Sequence, residues 1–269
     1  MFSSHKTSDS TFPTRRDASA SAWKASTRGW PPDVLARGVS DDWRPRGTGT
    51  TLILLVVPFA GAVLVAVASR NDRLYRLLVK EDALLEWGQV GAYVVGVAIA
   101  LLTVRATWRR GDSVAAVVLV ALATLAVLSV GEELSWGQRL FDFETPSIAS
   151  DNRQGEFTLH NDATFEHTSR VALLLGAMYG LLAPFVVRRR TPLVPPRWLA
   201  GYFGVVVAYM AYRLVALERP SYVEAKYSEW PEFCFAAALA LWCGAIAQSS
   251  QRLRRPAGLR PRAGGHPRV

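Results

Sequence analysis

Glu132 and Glu133 stand side by side where a long apolar run ends, and Ser135, Trp136, Gln138 and Arg139 follow at once. Farther along the same connection come Asn152, Glu156, His160 and Asn161, before a second apolar run opens at Val171. Carboxylates and an imidazole are the groups that move protons as general acid and base, or that ligate a divalent cation. A helix leaving a bilayer needs only an aromatic or a cation at the interface, so packing alone does not ask for this set. Residues 131–170 are therefore the expected position of the functional site.

The residue types admit two chemistries there. Glu132, Glu133 and His160, joined by Glu86 from an earlier segment, form an acid/base set; Glu132, Glu133 and His160 would also serve as ligands of a divalent metal ion. The metal reading rests on residue types alone, because the chain has no H-E-x-x-H, no His pair at i, i+4 and no cysteine near these residues. Ser135 as a nucleophile has less support, since nothing like G-x-S-x-G surrounds it. Gln89, Ser135, Trp136, Gln138, Arg139, Asn152, Glu156, Asn161 and Arg213 are the candidate substrate-binding residues.

These residues need elements to position them. Half of the 269 residues are hydrophobic, yet 20% are charged, so the apolar residues must collect in blocks. Residues 51–69, 87–104, 114–131, 171–187 and 233–250 carry no charge, and 198–217 carries one, Arg213. Each block approaches the length at which a helix crosses a hydrocarbon core of about 30 Å. The expected fold is an all-α polytopic membrane bundle of about six transmembrane helices at 49–251, with disordered cytoplasmic tails at 1–48 and 252–269. The first tail is rich in Ser, Thr, Arg and Asp without an apolar period, and no signal peptide is expected.

The net charge of +9 raises the question of nucleic acid, and its distribution answers it. Arginine collects in alternate connections: Arg44 and Arg46, then Arg105, Arg109 and Arg110, then Arg188, Arg189, Arg190 and Arg197, then Arg252, Arg254 and Arg255. The positive-inside rule makes these four regions cytoplasmic, which puts both termini inside the cytoplasmic membrane. Topology and anionic lipid account for the basic balance, so the expected partners are the bilayer and a lipid substrate rather than nucleic acid. Cys234 and Cys243 lie within the last apolar block and read as small packing residues.

The second and third blocks share the word WGQ, at 87–89 and 136–138. A short arginine-bearing turn joins these blocks, so they are antiparallel, and the start of one lies beside the end of the other. Asp82, Glu86 and Gln89 share a helix face by spacing, and Glu132, Ser135 and Arg139 do the same on the next helix, with Glu133 about 100° away. Thr145-Pro146 reads as an N-cap and first helical position, after which Asn152, Glu156 and His160 would share one side of a short helix. Arg213, near the outer end of its block, is expected to pair with an outer-face glutamate or to reach the headgroups.

The words GEELSWGQRLF, TP, N-x-Q-x-E and LHN, preceded by ED-x-x-x-E-W, resemble a group of uncharacterised bacterial multi-pass membrane proteins with an EEISWGQR-type motif followed by an LHN loop. The resemblance covers 81–89 and 131–161 and implies the same site residues without implying a reaction. Three readings stand: a membrane enzyme acting on a lipid or lipid-linked substrate, a small transporter or channel, and a structural or partner-binding subunit. A relay across the membrane needs acids at mid-depth, whereas these lie at one end. Reporter fusions after residues 145 and 225 should both report the outer side; a cytoplasmic report from either would reverse the orientation.

Overall fold

A computed structural model describes residues 48–79, 83–141, 166–187, 191–216 and 227–252, all within one compact unit. These residues form helices and turns, with no strand among them. The helices are α1 Thr48–Ala68, α2 Asp72–Leu78, α3 Leu84–Arg109, α4 Ser113–Glu133, α5 Gln138–Phe141, α6 Glu166–Val186, α7 Ala200–Ala216 and α8 Glu229–Arg252. Two 3₁₀ turns, Ser135–Gly137 and Arg197–Leu199, precede α5 and α7. The all-α polytopic bundle is thus present, and the tails at 1–47 and 253–269 lie outside the described residues.

Five of these helices are long and apolar enough to cross a membrane: 49–68, 84–109, 113–133, 167–186 and 229–250. Of the expected sixth, the described residues include 17 in helix, Ala200–Ala216, and the described segment ends there. Pro195 and Pro196 hold the chain out of helix, a 3₁₀ turn follows, and α7 then runs for 17 residues. At 1.5 Å per residue the described part of α7 covers about 26 Å, at the lower limit for a span.

Local signals set the boundaries. The Asn71 side chain accepts hydrogen bonds from the backbone of Arg73 and Leu74 and starts α2. This short helix carries the exposed Leu74 and Leu77, as its mixed charged and apolar sequence leads one to expect. Asp112 accepts from the Ala115 backbone at 3.1 Å and starts α4, so the 110–112 turn reverses the chain sharply and sets α3 and α4 side by side, antiparallel.

The bundle is built around α8, which packs on α3, α7, α4 and α1. Inside lipid, helices gain little from hiding apolar surface from one another, so close backbone approach matters more. Ala236, Ala238, Ala240 and Ala245 of α8 are buried, and a Cβ added at Gly96 of α3 would lie 3.2 Å from the Ala240 Cα. The pairs Gly88 with Phe233, Gly96 with Ala240 and Ile99 with Gly244 show that α3 and α8 run parallel. Cys234 and Cys243 are buried, free thiols in this packing. On the other side Phe203 meets Phe235 edge to face at 6.1 Å, joining α7 to α8.

Polar residues tie the bundle together where backbone groups need partners. Trp230 Nε1 donates to the Pro58 carbonyl at 2.8 Å, and Tyr227 OH to that of Ala62, both on α1. At the other end of the bundle, Trp242 Nε1 donates to the Pro192 carbonyl, Tyr179 OH to that of Leu193 and Arg197 Nε to that of Pro184. Large apolar side chains on α1, such as Ile53, Val63 and Leu64, face outward over most of their surface, as lipid-facing positions should.

Replacing Gly96 with Val should lower bundle stability by about 1 to 3 kcal/mol, because the new side chain overlaps the Ala240 backbone. Gly91→Val, where nothing lies within 4 Å, is the control. Thermal unfolding in detergent checks this; an equal effect at both positions would mean that helix propensity, and not contact, decides.

Candidate functional site

The acids gather at one end of the bundle, where α3 and α8 begin and α4 ends. Glu86, Gln89 and Tyr93 follow one another down α3 at i, i+3 and i+7, and all three are buried. Opposite them, Gln89 Nε2 donates to Glu133 Oε1 at 2.6 Å, linking α3 to the last residue of α4. One turn deeper, a side-chain hydrogen bond joins Tyr93 to Ser129 of α4. The two helices are therefore pinned by two polar pairs at successive depths.

Gln89 carries the clearest chemical signal. Its residue exposure is 1%, its amide nitrogen is committed to Glu133, and its Oε1 has no hydrogen-bond partner among the described residues. A buried carbonyl oxygen without a donor costs about 1 to 3 kcal/mol. It is an acceptor set among acids and phenols, suited to a group that brings a proton or a positive charge.

The end of α4 differs from the expected continuous helix. Glu133 closes the helix, Leu134 caps it, and Ser135 and Trp136 adopt φ of 48° and 51°, followed by Gly137 at 93°. Left-handed backbone at a non-glycine residue costs about 1 to 3 kcal/mol and persists only where the surroundings enforce it. Here the Trp136 indole folds back over Gly131 and donates from Nε1 to Glu132 Oε1 at 2.7 Å. A Cβ at Gly131 would come within 2.9 Å of the indole ring, so glycine is what lets the fold-back close.

This break corrects the helical alignment of Glu132, Ser135 and Arg139. The left-handed turn interrupts the 100° rotation per residue on which that alignment rests, so Glu133 and not Glu132 meets the α3 face, while Glu132 engages Trp136. Ser135 is fully buried and Trp136 is partly exposed. Gln138 opens α5, and the Arg139 side chain lies outside the described residues. Asp82, Asn152, Glu156, His160 and Asn161 lie outside them as well, as does the short helix expected after Thr145-Pro146.

Among the described residues Arg213, expected to pair with a glutamate or to reach the headgroups, meets a tyrosine of its own helix. Its Nη1 donates to Tyr209 OH at 3.2 Å, and its guanidinium lies 5.9 Å from the centre of that ring. Tyr209 in turn shares a side-chain hydrogen bond with Ser228 and sits 5.9 Å from the Tyr227 ring. Burial pushes the titration of Tyr227 upward and keeps it a donor to α1.

Glu232, in the first turn of α8, connects the two halves: it lies within electrostatic range of both Tyr93 and Tyr209. Glu232, Tyr93, Ser129 and Tyr209 are not among the residues that composition and spacing single out. An acid in the first turn of a helix has a sufficient local explanation in the helix dipole, which is why Glu232 attracts no notice there. Tyr93 and Ser129 were accessible by spacing, four residues beyond Gln89 and four before Glu133. Among the described residues no group of three or more His, Cys, Asp or Glu could hold a metal ion. Glu132 and Glu133 engage different partners, and His160 is not described.

No protein-family model, curated protein or solved structure matches this chain.

A double-mutant cycle with Gln89→Ala and Glu133→Ala should give a coupling of about 1 to 2 kcal/mol, large for an interhelical hydrogen bond in a membrane protein because one partner is a carboxylate. Unfolding in detergent or mixed micelles provides the measurement, and additive losses would show that the two residues do not interact.

Proposed function

We propose that the protein is a multi-pass protein of the cytoplasmic membrane, both termini inside, whose acid cluster at the outer face binds the polar part of a lipid or lipid-linked substrate. The observation that supports this reading is the buried Gln89 Oε1, held by the Glu133 contact and left without a donor among the described residues. A hydroxyl or amine of a headgroup would supply that donor. Glu133 and Glu86 lie beside it as acid and base, and Glu132 flanks them through Trp136. The likeness of residues 81–89 and 131–161 to membrane proteins with an EEISWGQR-type motif agrees with this choice of residues. His160 joins the site if the connection after α5 folds back over the helix ends, and with Glu132 and Glu133 it would make the ligand set of a divalent metal.

The carboxylates of the described spanning helices all lie near their ends, which favours a headgroup-level site over a transport path through the bundle. A second reading has an observation of its own. Gln89 with Glu133 and Tyr93 with Ser129 are interhelical pairs, and a polar network of that kind can serve only to lock helices.

One experiment separates these readings. A deletion strain should show an altered lipid profile that the wild-type gene restores and that Glu133→Gln or His160→Asn does not, while both variants stay as abundant in the membrane as the wild type. Loss of abundance would favour the helix lock, and full restoration by both variants would refute the site. Elemental analysis of the purified protein tests the metal directly, with stoichiometric zinc, manganese or another divalent ion as the positive result.

A further inference from the structure

The end of the bundle opposite the acids is basic. Arg105 and Arg109 in the last turns of α3 and Arg110 at its C-cap, with Leu102 and Ala106, line an open hollow of about 340 Å³. Arg105 and Arg109 stand one turn apart on one face of α3, where like charges repel, and both lie toward the negative end of its dipole. Arg110 is held in place at the hollow: its Nη1 donates to the Ser250 carbonyl near the end of α8. At the same contact the Ser250 hydroxyl is buried, at 3% residue exposure, and has no hydrogen-bond partner among the described residues. The next residues toward the bundle middle are apolar. Leu102 is 84% exposed, and Trp108, beside the arginines, is 61% exposed.

We infer that this hollow seats the phosphate of an anionic phospholipid, with its acyl chains running along Leu102. Guanidinium groups present paired N–H donors that match phosphate oxygens, and an anion between Arg105 and Arg109 relieves the repulsion between them. Leu102 and Ala106 distinguish a lipid from a free phosphate, because an inorganic ion gains nothing from an apolar wall, whereas an acyl chain covers it. Basic hollows at the ends of membrane helices are where anionic headgroups bind. The inference is independent of the function proposed for the acid end.

The test uses the full-length protein purified in a neutral detergent and titrated separately with phosphatidylglycerol, phosphatidylcholine and inorganic phosphate. Thermal unfolding and native mass spectrometry are the readouts. Phosphatidylglycerol should raise the unfolding midpoint saturably and remain bound, with no effect from phosphatidylcholine or phosphate. The double variant Arg105→Gln/Arg109→Gln should weaken phosphatidylglycerol binding on the order of 30-fold. The matched pair Arg73→Gln/Arg76→Gln on α2 should leave it unchanged. Equal stabilisation by phosphatidylcholine, an equal effect of inorganic phosphate, undiminished binding by the first pair or equal loss in the second would each overturn the assignment. If the first pair unfolds without lipid, Arg109→Glu alone, at an exposed position, gives the same reading through charge reversal.

Discussion

The close approach of α3 and α8 through Gly96 and Ala240 sets the geometry on which the acid end depends. In lipid, two helices stay together by backbone proximity and by the polar contacts it permits, since their apolar side chains are as well satisfied by acyl chains. Small residues along α8 bring it against α3 in parallel, with Gly88 beside Phe233 and Ile99 beside Gly244. That register carries Glu232 to the level at which it acts on Tyr93, and the short turn into α4 carries Glu133 to Gln89. Shifting α8 by one helical turn would separate Glu232 from Tyr93 while leaving the α3–α4 pairs in place.

The second determinant is the break after Glu133. A helix continued through Ser135 would have carried Glu132, Ser135 and Trp136 along one face, with the indole a turn beyond Glu132 and not folded back over Gly131. The left-handed pair Ser135 and Trp136 instead returns the indole to Gly131 and ties Glu132, leaving Glu133 for α3. Two adjacent and chemically identical residues thereby acquire separate environments, one beside a partly exposed indole and one beside a buried amide. Sites that assign different roles to paired carboxylates are built by this kind of difference.

The two ends of the bundle are chemically opposed. One gathers Glu86, Glu132, Glu133 and Glu232 around phenols and amides, and the other gathers Arg105, Arg109, Arg110 and Arg197 around backbone carbonyls and a buried hydroxyl. The segment between them is apolar and rich in small residues. This polarity suits a protein fixed in one orientation in a bilayer, with charge at the two interfaces and close packing in the middle.

Composition and spacing alone determined the helical class, the placement of apolar blocks, the antiparallel pairing of the second and third blocks and the stretch in which the acids collect. These follow from local rules: the length needed to cross hydrocarbon, the grouping of arginines and the position of acids at block ends. Periodicity also placed Glu86 and Gln89 on one face, because that helix is unbroken. It failed after Glu133, where a left-handed turn held by the Trp136 indole on Gly131 replaces the helix, and no local propensity of Ser or Trp signals such a turn. Tertiary structure alone decided that Glu133 is the partner of Gln89, that Arg213 rests on Tyr209 and that Glu232 belongs to the cluster. The first and last depend on the register and proximity of helices far apart in the chain, set by small-residue packing that a sequence read one segment at a time does not resolve, whereas Arg213 and Tyr209 are one turn apart on α7.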